Sequence, residues 1–164
     1  MFRGREEAKQ YEDMYGIRIP GKTLSDRIAQ KCQMKTIYSS YRPFGASIIF
    51  ATHDIMQPFA LWMVEPSGAC FQYYGCASGR GKQLVRNEIE RGNFRNITCE
   101  EALPLMAKIL LKSQDEMKEK KQELELSVLS EQTGFIHKIL SREVTDKITV
   151  DSQAAIEAEG EEMN

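Results

Sequence analysis

The sequence predicts a layered α/β (α+β) fold, and three observations carry that prediction. Residues 46–51, 59–64 and 69–74 are short apolar runs separated by turn residues, which is strand patterning. The second and third runs are joined by Glu65-Pro66-Ser67-Gly68, where Pro66 pre-sets φ and Gly68 accepts a positive one, so they form a tight hairpin. The runs are also apolar on successive positions, as in Ile48-Ile49-Phe50 and Leu61-Trp62-Met63-Val64, so both faces of their sheet need cover. Helices alone are too few to supply it, and a second sheet is the natural companion.

The elements follow in order. Residues 5–15 are polar and helix-prone, with Ala8, Tyr11 and Tyr15 on one face, and Gly16 supplies a stop. Pro20 holds residues 17–21 extended. Thr23-Leu24-Ser25-Asp26 opens a second helix, with the Thr23 hydroxyl expected as its cap. Leu24, Ile28 and Cys32 then step by four, Ile37 and Tyr41 continue the apolar side, and the helix ends before Arg42-Pro43.

After the strands, Gly75-Cys76-Ala77-Ser78-Gly79 turns into a helix over 79–91, with Leu84, Val85 and Ile89 inward and Ser78 a candidate cap. Thr98-Cys99-Glu100-Glu101 is a capping box for a fourth helix carrying Leu105, Met106, Ile109 and Leu110. Pro104 lies past the position where proline is harmless, which predicts a kink or a ragged first turn. Residues 118–121 read as a solvated charge run. Residues 123–128 alternate strictly, and Thr133-Gly134 turns them into 135–140, an antiparallel pair. From Thr145 the chain returns to helix and ends in Glu157, Glu159, Glu161 and Glu162. No repeat or linker divides it, so 1–164 is expected as one domain with an acidic tail over 151–164.

Bulk properties narrow the function classes. The 164 residues are 41% hydrophobic and 28% charged, as in an ordinary soluble domain. A net charge of −2 argues against a general nucleic-acid or anionic-membrane surface. No apolar run approaches the roughly 20 residues of a spanning helix, and the first residues lack a signal-peptide core. The expected location is the cytoplasm and nucleus, with no nucleic-acid or membrane partner. Cys32, Cys70, Cys76 and Cys99 match no zinc or disulfide spacing and are expected to act as buried free thiols.

Motif by motif, chemistry is scarce. The stretch Gly75 to Gln83 departs twice from a phosphate loop: Cys76 stands at the first glycine, and Gln83 stands where magnesium needs a hydroxyl. A strand-to-helix turn is the simpler reading. The alternative is a small anion- or nucleotide-binding α/β domain using Gly79, Arg80, Gly81 and Lys82. His53 and His137 are the only histidines, and neither Ser67 nor Ser78 lies in a nucleophile elbow. His53 beside Asp54 would need further ligands to hold a metal. A catalytic N-terminal threonine is normally released at a Gly-Thr bond, and the sequence contains no Gly-Thr pair. No cofactor and no catalytic residue is expected.

One resemblance gathers these pieces. Tyr38-Ser39-Ser40-Tyr41 followed by Arg42-Pro43-Phe44-Gly45, then Glu65-Pro66-Ser67-Gly68, Gly75-Cys76-Ala77-Ser78-Gly79 and Asn87-Glu88-Ile89-Glu90, resemble the alpha-type subunits of the 20S proteasome. Glu123-Leu124-Glu125-Leu126-Ser127 and the acidic end are most similar to the type-3 branch. The resemblance runs from about Arg5 to about Glu143 and implies a four-layer αββα sandwich of the Ntn-hydrolase type, N-terminally truncated here. It marks Arg42, Pro43, Phe44, Gly45, Pro66, Ser67, Gly68, Gly75 and Gly79 as the family's structural motif. It implies a non-catalytic subunit of the alpha ring in ubiquitin-dependent protein degradation. The implied partners are the other alpha subunits, beta subunits and regulatory particles. The family's gate-forming tail and activator pocket map to no residue of this chain.

Overall fold

The computed structural model describes residues 2–116 and 123–162. The expected charge run at 118–121 lies outside the described residues. The chain divides into two compact units, Met1–Cys76 and Ala77–Asn164.

The first unit is two helices on a three-stranded sheet. Helix α1 spans Phe2–Tyr15 and α2 spans Gly21–Ile37. Strands β1 (Ile48–Thr52), β2 (Ala60–Val64) and β3 (Cys70–Tyr73) form an antiparallel sheet in the order β1-β2-β3. The expected hairpin is present: Glu65 N donates to Ala69 O at 2.9 Å, Gly68 N donates to Glu65 O at 2.9 Å, and Gly68 has φ +89°.

Gly68 is needed for a second reason that the turn rule does not contain. A Cβ there would lie 2.7 Å from Gln33 Cβ and 2.9 Å from Ala29 O, so the hairpin rests directly on the α2 backbone. The core follows from this approach. Ala29, Cys32 and Val64 are buried together, with Ile28, Phe44, Phe50 and Cys70 packed around them. The buried stripe of α2 is Gly21, Ser25, Ala29 and Cys32, whereas Leu24 and Ile28 are half-buried. Small residues hold that stripe because the sheet comes too close for large ones.

Two expectations for α2 are corrected. Its N-cap is Pro20 rather than Thr23, with no side-chain bond from Pro20; Asp54 serves the freed amide from another element, accepting from Gly21 N at 2.8 Å. The helix stops at Ile37, where Tyr38 turns extended, so Ile37 and Tyr41 are exposed instead of continuing the apolar side. Among the described side chains of α1 the one most removed from water is Glu7, at 7% exposure, while Tyr15 is exposed. Glu7 pairs with Lys31 and with Arg27 at 3.6 Å on α2, an ionic contact that apolar periodicity does not register.

The second unit is built around α4. Helix α3 (Lys82–Arg91) sets Val85 and Ile89 against Ala77 and Ile109, with Phe94 and Met106 packed alongside. It starts at Lys82 behind Gly81, which is the N-cap at φ 72° with no side-chain bond, so the expected start at Gly79 and cap at Ser78 are corrected. Helix α4 (Cys99–Glu116) opens on the predicted capping box: Thr98 N donates to Glu101 Oε2 at 2.8 Å and Glu101 N to Thr98 Oγ1 at 3.3 Å. Its first turn is not ragged, since Ala102 N also reaches Thr98 O at 2.9 Å, and the helix runs unbroken through Pro104. Leu105 is exposed, while Ile109 is buried.

Strands β4 (Ser127–Val128) and β5 (Lys138–Ile139) pair antiparallel but cover only part of the predicted runs. Leu140 N extends the pairing to Leu126 O at 2.9 Å. The turn closes through Gly134 at φ 64° and Phe135 at φ 59°. Helix α5 (Arg142–Glu162) starts three residues before Thr145 and lies on α4. Thr145 and Ser152 are buried, and Ser152 Oγ donates to Pro104 O at 3.3 Å. Lys112 and Lys108 both pair with Glu159 at the acidic end, the former at 3.1 Å.

Candidate functional site

Register and alternation divide the residues of the first sheet between two faces. Phe50, Trp62, Val64 and Cys70 fall on the face that meets α2, where Val64 has no exposure at all. Ile49, Ala51, Leu61, Met63, Phe71 and Tyr73 fall on the opposite face, and not one of them is charged. Met63 is buried at the centre between its neighbours Ile49 and Phe71, which are 41% and 61% exposed. The Phe71 and Tyr73 rings meet edge to face at 6.5 Å. A sheet that hides one face and leaves aromatic and branched side chains open on the other is built to be covered. Apolar residues thus stand on both sides of these strands, as their sequence predicts.

Between the two helices and the edge of β1 lies a mostly apolar groove of about 620 Å³. Gly4 and Ala8 of α1, Leu24 and Ile28 of α2, Phe44 and Ile48 line it, with β1 as the outer strand of the sheet. An outer strand presents unpaired backbone donors and acceptors, so the groove and edge together suit a further peptide segment.

The loop between β1 and β2 is fixed by one carboxylate. Asp54 Oδ1 accepts from Met56 N at 2.9 Å and Gln57 N at 2.8 Å, while Oδ2 takes Gly21 N. The Gly21 amide first, and then those of Gln57 and Met56, hold the Asp54 carboxyl below its usual range. Gly21 is tight against this loop, since a Cβ there would meet Thr52 Cβ at 2.9 Å. Trp62 Nε1 donates to Thr52 Oγ1 at 3.1 Å in the same corner. The sequence reading, which left His53-Asp54 short of the ligands a metal needs, did not find this role; the signal available was Pro20-Gly21 opening a helix without a capping side chain.

The motif residues are spread along the chain. Arg42 and Pro43 are exposed between α2 and β1, Phe44 enters the first core beneath Lys35 (5.5 Å from its ring centre), and Gly45 lines the groove. Pro66, Ser67 and Gly68 form the hairpin turn, where Ser67 Oγ accepts from Ala69 N at 3.2 Å. Gly75 follows β3, and Gly79 has φ 108° ahead of α3.

His53 lies in the first unit, its ring 5.4 Å from that of Phe59, and His137 is exposed just before β5 in the second. Among the described residues no three acidic, cysteine or histidine side chains are grouped to hold a metal. Cys32 is buried, and burial pushes its thiol pKa up. Cys70 and Cys76 are half-buried, but Cys99 is exposed, which corrects the expectation for that thiol.

Comparison with known proteins agrees with the architecture. The family described as "Proteasome subunit" matches residues 2–129, and the chain belongs to that family, whose fold is α+β of the Ntn-hydrolase type. It is 42% identical over 155 residues to proteasome subunit alpha type-3 of Dictyostelium discoideum, covering 94% of this chain and 62% of that protein. It is 38% identical over 162 residues to the alpha type-3 subunit of Arabidopsis thaliana, covering 99% of this chain and 63% of that one. The probable alpha type-7 subunit of Schizosaccharomyces pombe is also 38% identical, with 98% and 62% covered. The chain therefore spans a little under two thirds of the length of these relatives. The likeness does not favour anion or nucleotide binding at Gly79 to Lys82.

Proposed function

We propose that this chain is a non-catalytic structural subunit of the 20S proteasome core, placed in the alpha ring and contributing to assembly and substrate access in protein degradation. The observation that carries the reading is the uncharged outer face of the β1-β2-β3 sheet, with Phe71 and Ile49 open on it, in a chain of the proteasome subunit family. Such a surface gains by burial at about 25 cal/mol per Å² of apolar area, so it favours association. Its partners are other alpha subunits and beta subunits, with regulatory particles binding the finished ring. Ring closure suits contacts between unlike patches of successive subunits. The work is done in the cytoplasm and nucleus.

The reading is tested by tagging the full chain and purifying it under native conditions with an electrophilic probe for catalytic threonines. Other proteasome subunits are expected to co-purify, the probe labelling some of them and never this chain. Recovery of the chain alone contradicts the assembly role, and probe label on it contradicts the non-catalytic one.

A further inference from the structure

We propose that Cys32 of α2 and Cys70 of β3 are a redox pair, joined as a disulfide by a peroxide and parted by a thiol reductant, which latches the helix to the hairpin. The inference goes beyond the assembly reading and does not depend on it. Both thiols are free in the structure. Cys32 is 2% exposed in the core cluster with Ala29 and Val64, and Cys70 packs against that same cluster. Register sets Cys70 opposite Val64, on the sheet face that meets α2.

The backbones around the pair come very close. A disulfide spans Cα atoms about 4.4–6.8 Å apart, so it needs a close approach of helix to sheet. At Gly68, just before Cys70, a Cβ would meet Ala29 O at 2.9 Å and Gln33 N at 3.1 Å, residues on either side of Cys32 along α2. Burial first, and then the neighbouring Cys70, push the Cys32 thiol pKa up, so each sulfur lies within the influence of the other.

Unequal exposure gives the pair an order of reaction. Cys70 is half-buried and meets oxidant before the sealed Cys32. Its thiolate attacks one oxygen of the peroxide, the O–O bond breaks, and Cys70 becomes a sulfenic acid as water is released. Cys32 Sγ then attacks Cys70 Sγ. The S–S bond forms, the S–O bond breaks, and the departing hydroxide takes the Cys32 proton as a second water. The two sulfurs give up one electron each, and hydrogen peroxide is reduced to water. The link encloses β1 and β2 in a covalent loop, which restricts the unfolded chain and so stabilises the first unit.

The test treats the full chain with graded hydrogen peroxide, alkylates the remaining thiols in urea, and reads an unreduced digest by mass spectrometry. The expected product is a Cys32–Cys70 peptide pair, lighter by two hydrogens than its parts and lost on adding dithiothreitol. The urea midpoint is expected to rise on oxidation and return on reduction. In Cys32→Ala, dimedone, which traps sulfenic acids, is expected to label Cys70 at least about tenfold more than in the unaltered chain, because the thiol that consumes the sulfenic acid is gone. Should that variant not fold, Cys70→Ser serves instead: Cys32 is then expected to stay reduced at the same peroxide dose, and its oxidation to the same extent overturns the proposal. So does pairing of either thiol with Cys76 or Cys99, a sulfinic acid at Cys70 with Cys32 still reduced, or a midpoint that falls when the pair forms.

Discussion

At the residue scale, two carboxylates do work that apolar patterning does not reveal. Asp54 serves three amides on two elements, and Glu7 sits nearly out of water between Lys31 and Arg27. Hydrogen bonding from Lys31 in the first place, with Arg27 adding to it, holds Glu7 below the ordinary glutamate value of 4.5, and backbone amides hold Asp54 below 3.8. Both folded-state values are depressed, so the stability they give is fully present above the ordinary carboxylate range. It is lost as pH falls through the depressed values. Acid titration of unfolding should therefore show stability declining from about pH 4.5 downward. Asp54→Asn should lower stability by about 1 kcal/mol at neutral pH, since one carbonyl oxygen cannot reach both Gly21 and the Met56–Gln57 amides. The same variant should also flatten the acid decline. An unchanged urea midpoint would contradict this account of Asp54.

Among the elements, legibility followed the physics each one depends on. The hairpin, the capping box and the Val85–Ile89 face were readable because turn chemistry, caps and helical periodicity are local. Other features depended on distant neighbours. The start of α2 is capped from the β1–β2 loop, its buried stripe is set by how closely the sheet approaches, and β4 and β5 pair over only two residues each. On α4 the buried residues are Ala107, Ile109 and Leu111, while Leu105, one of the apolar residues named from spacing, is exposed. Gly68 joins the two kinds of information, since its positive φ is local and its contact with Ala29 O is not. Gly68→Ala should destabilise by about 2 kcal/mol or more, the sum of left-handed strain and a backbone clash. Denaturant unfolding checks it, and a loss below about 0.5 kcal/mol would show that the hairpin and α2 can part without cost.

For the whole molecule, the candidate surface was the part most visible in the sequence. Apolar residues on both sides of Ile48-Ile49-Phe50 and Leu61-Trp62-Met63-Val64 foretold a sheet with a second face to cover, and Phe71, Tyr73 and Ile49 stand open on it. The exposed tip at Ile55 and Met56 was not legible, because two apolar residues in a loop look the same in sequence whether they are buried or presented. The most direct measurement is native mass spectrometry of particles purified through this chain, followed by release of their subunits. The account predicts a proteasome core particle in which this chain occupies an alpha-ring position beside other alpha subunits. A chain found only as a free monomer, or only with proteins from outside the proteasome, would contradict it.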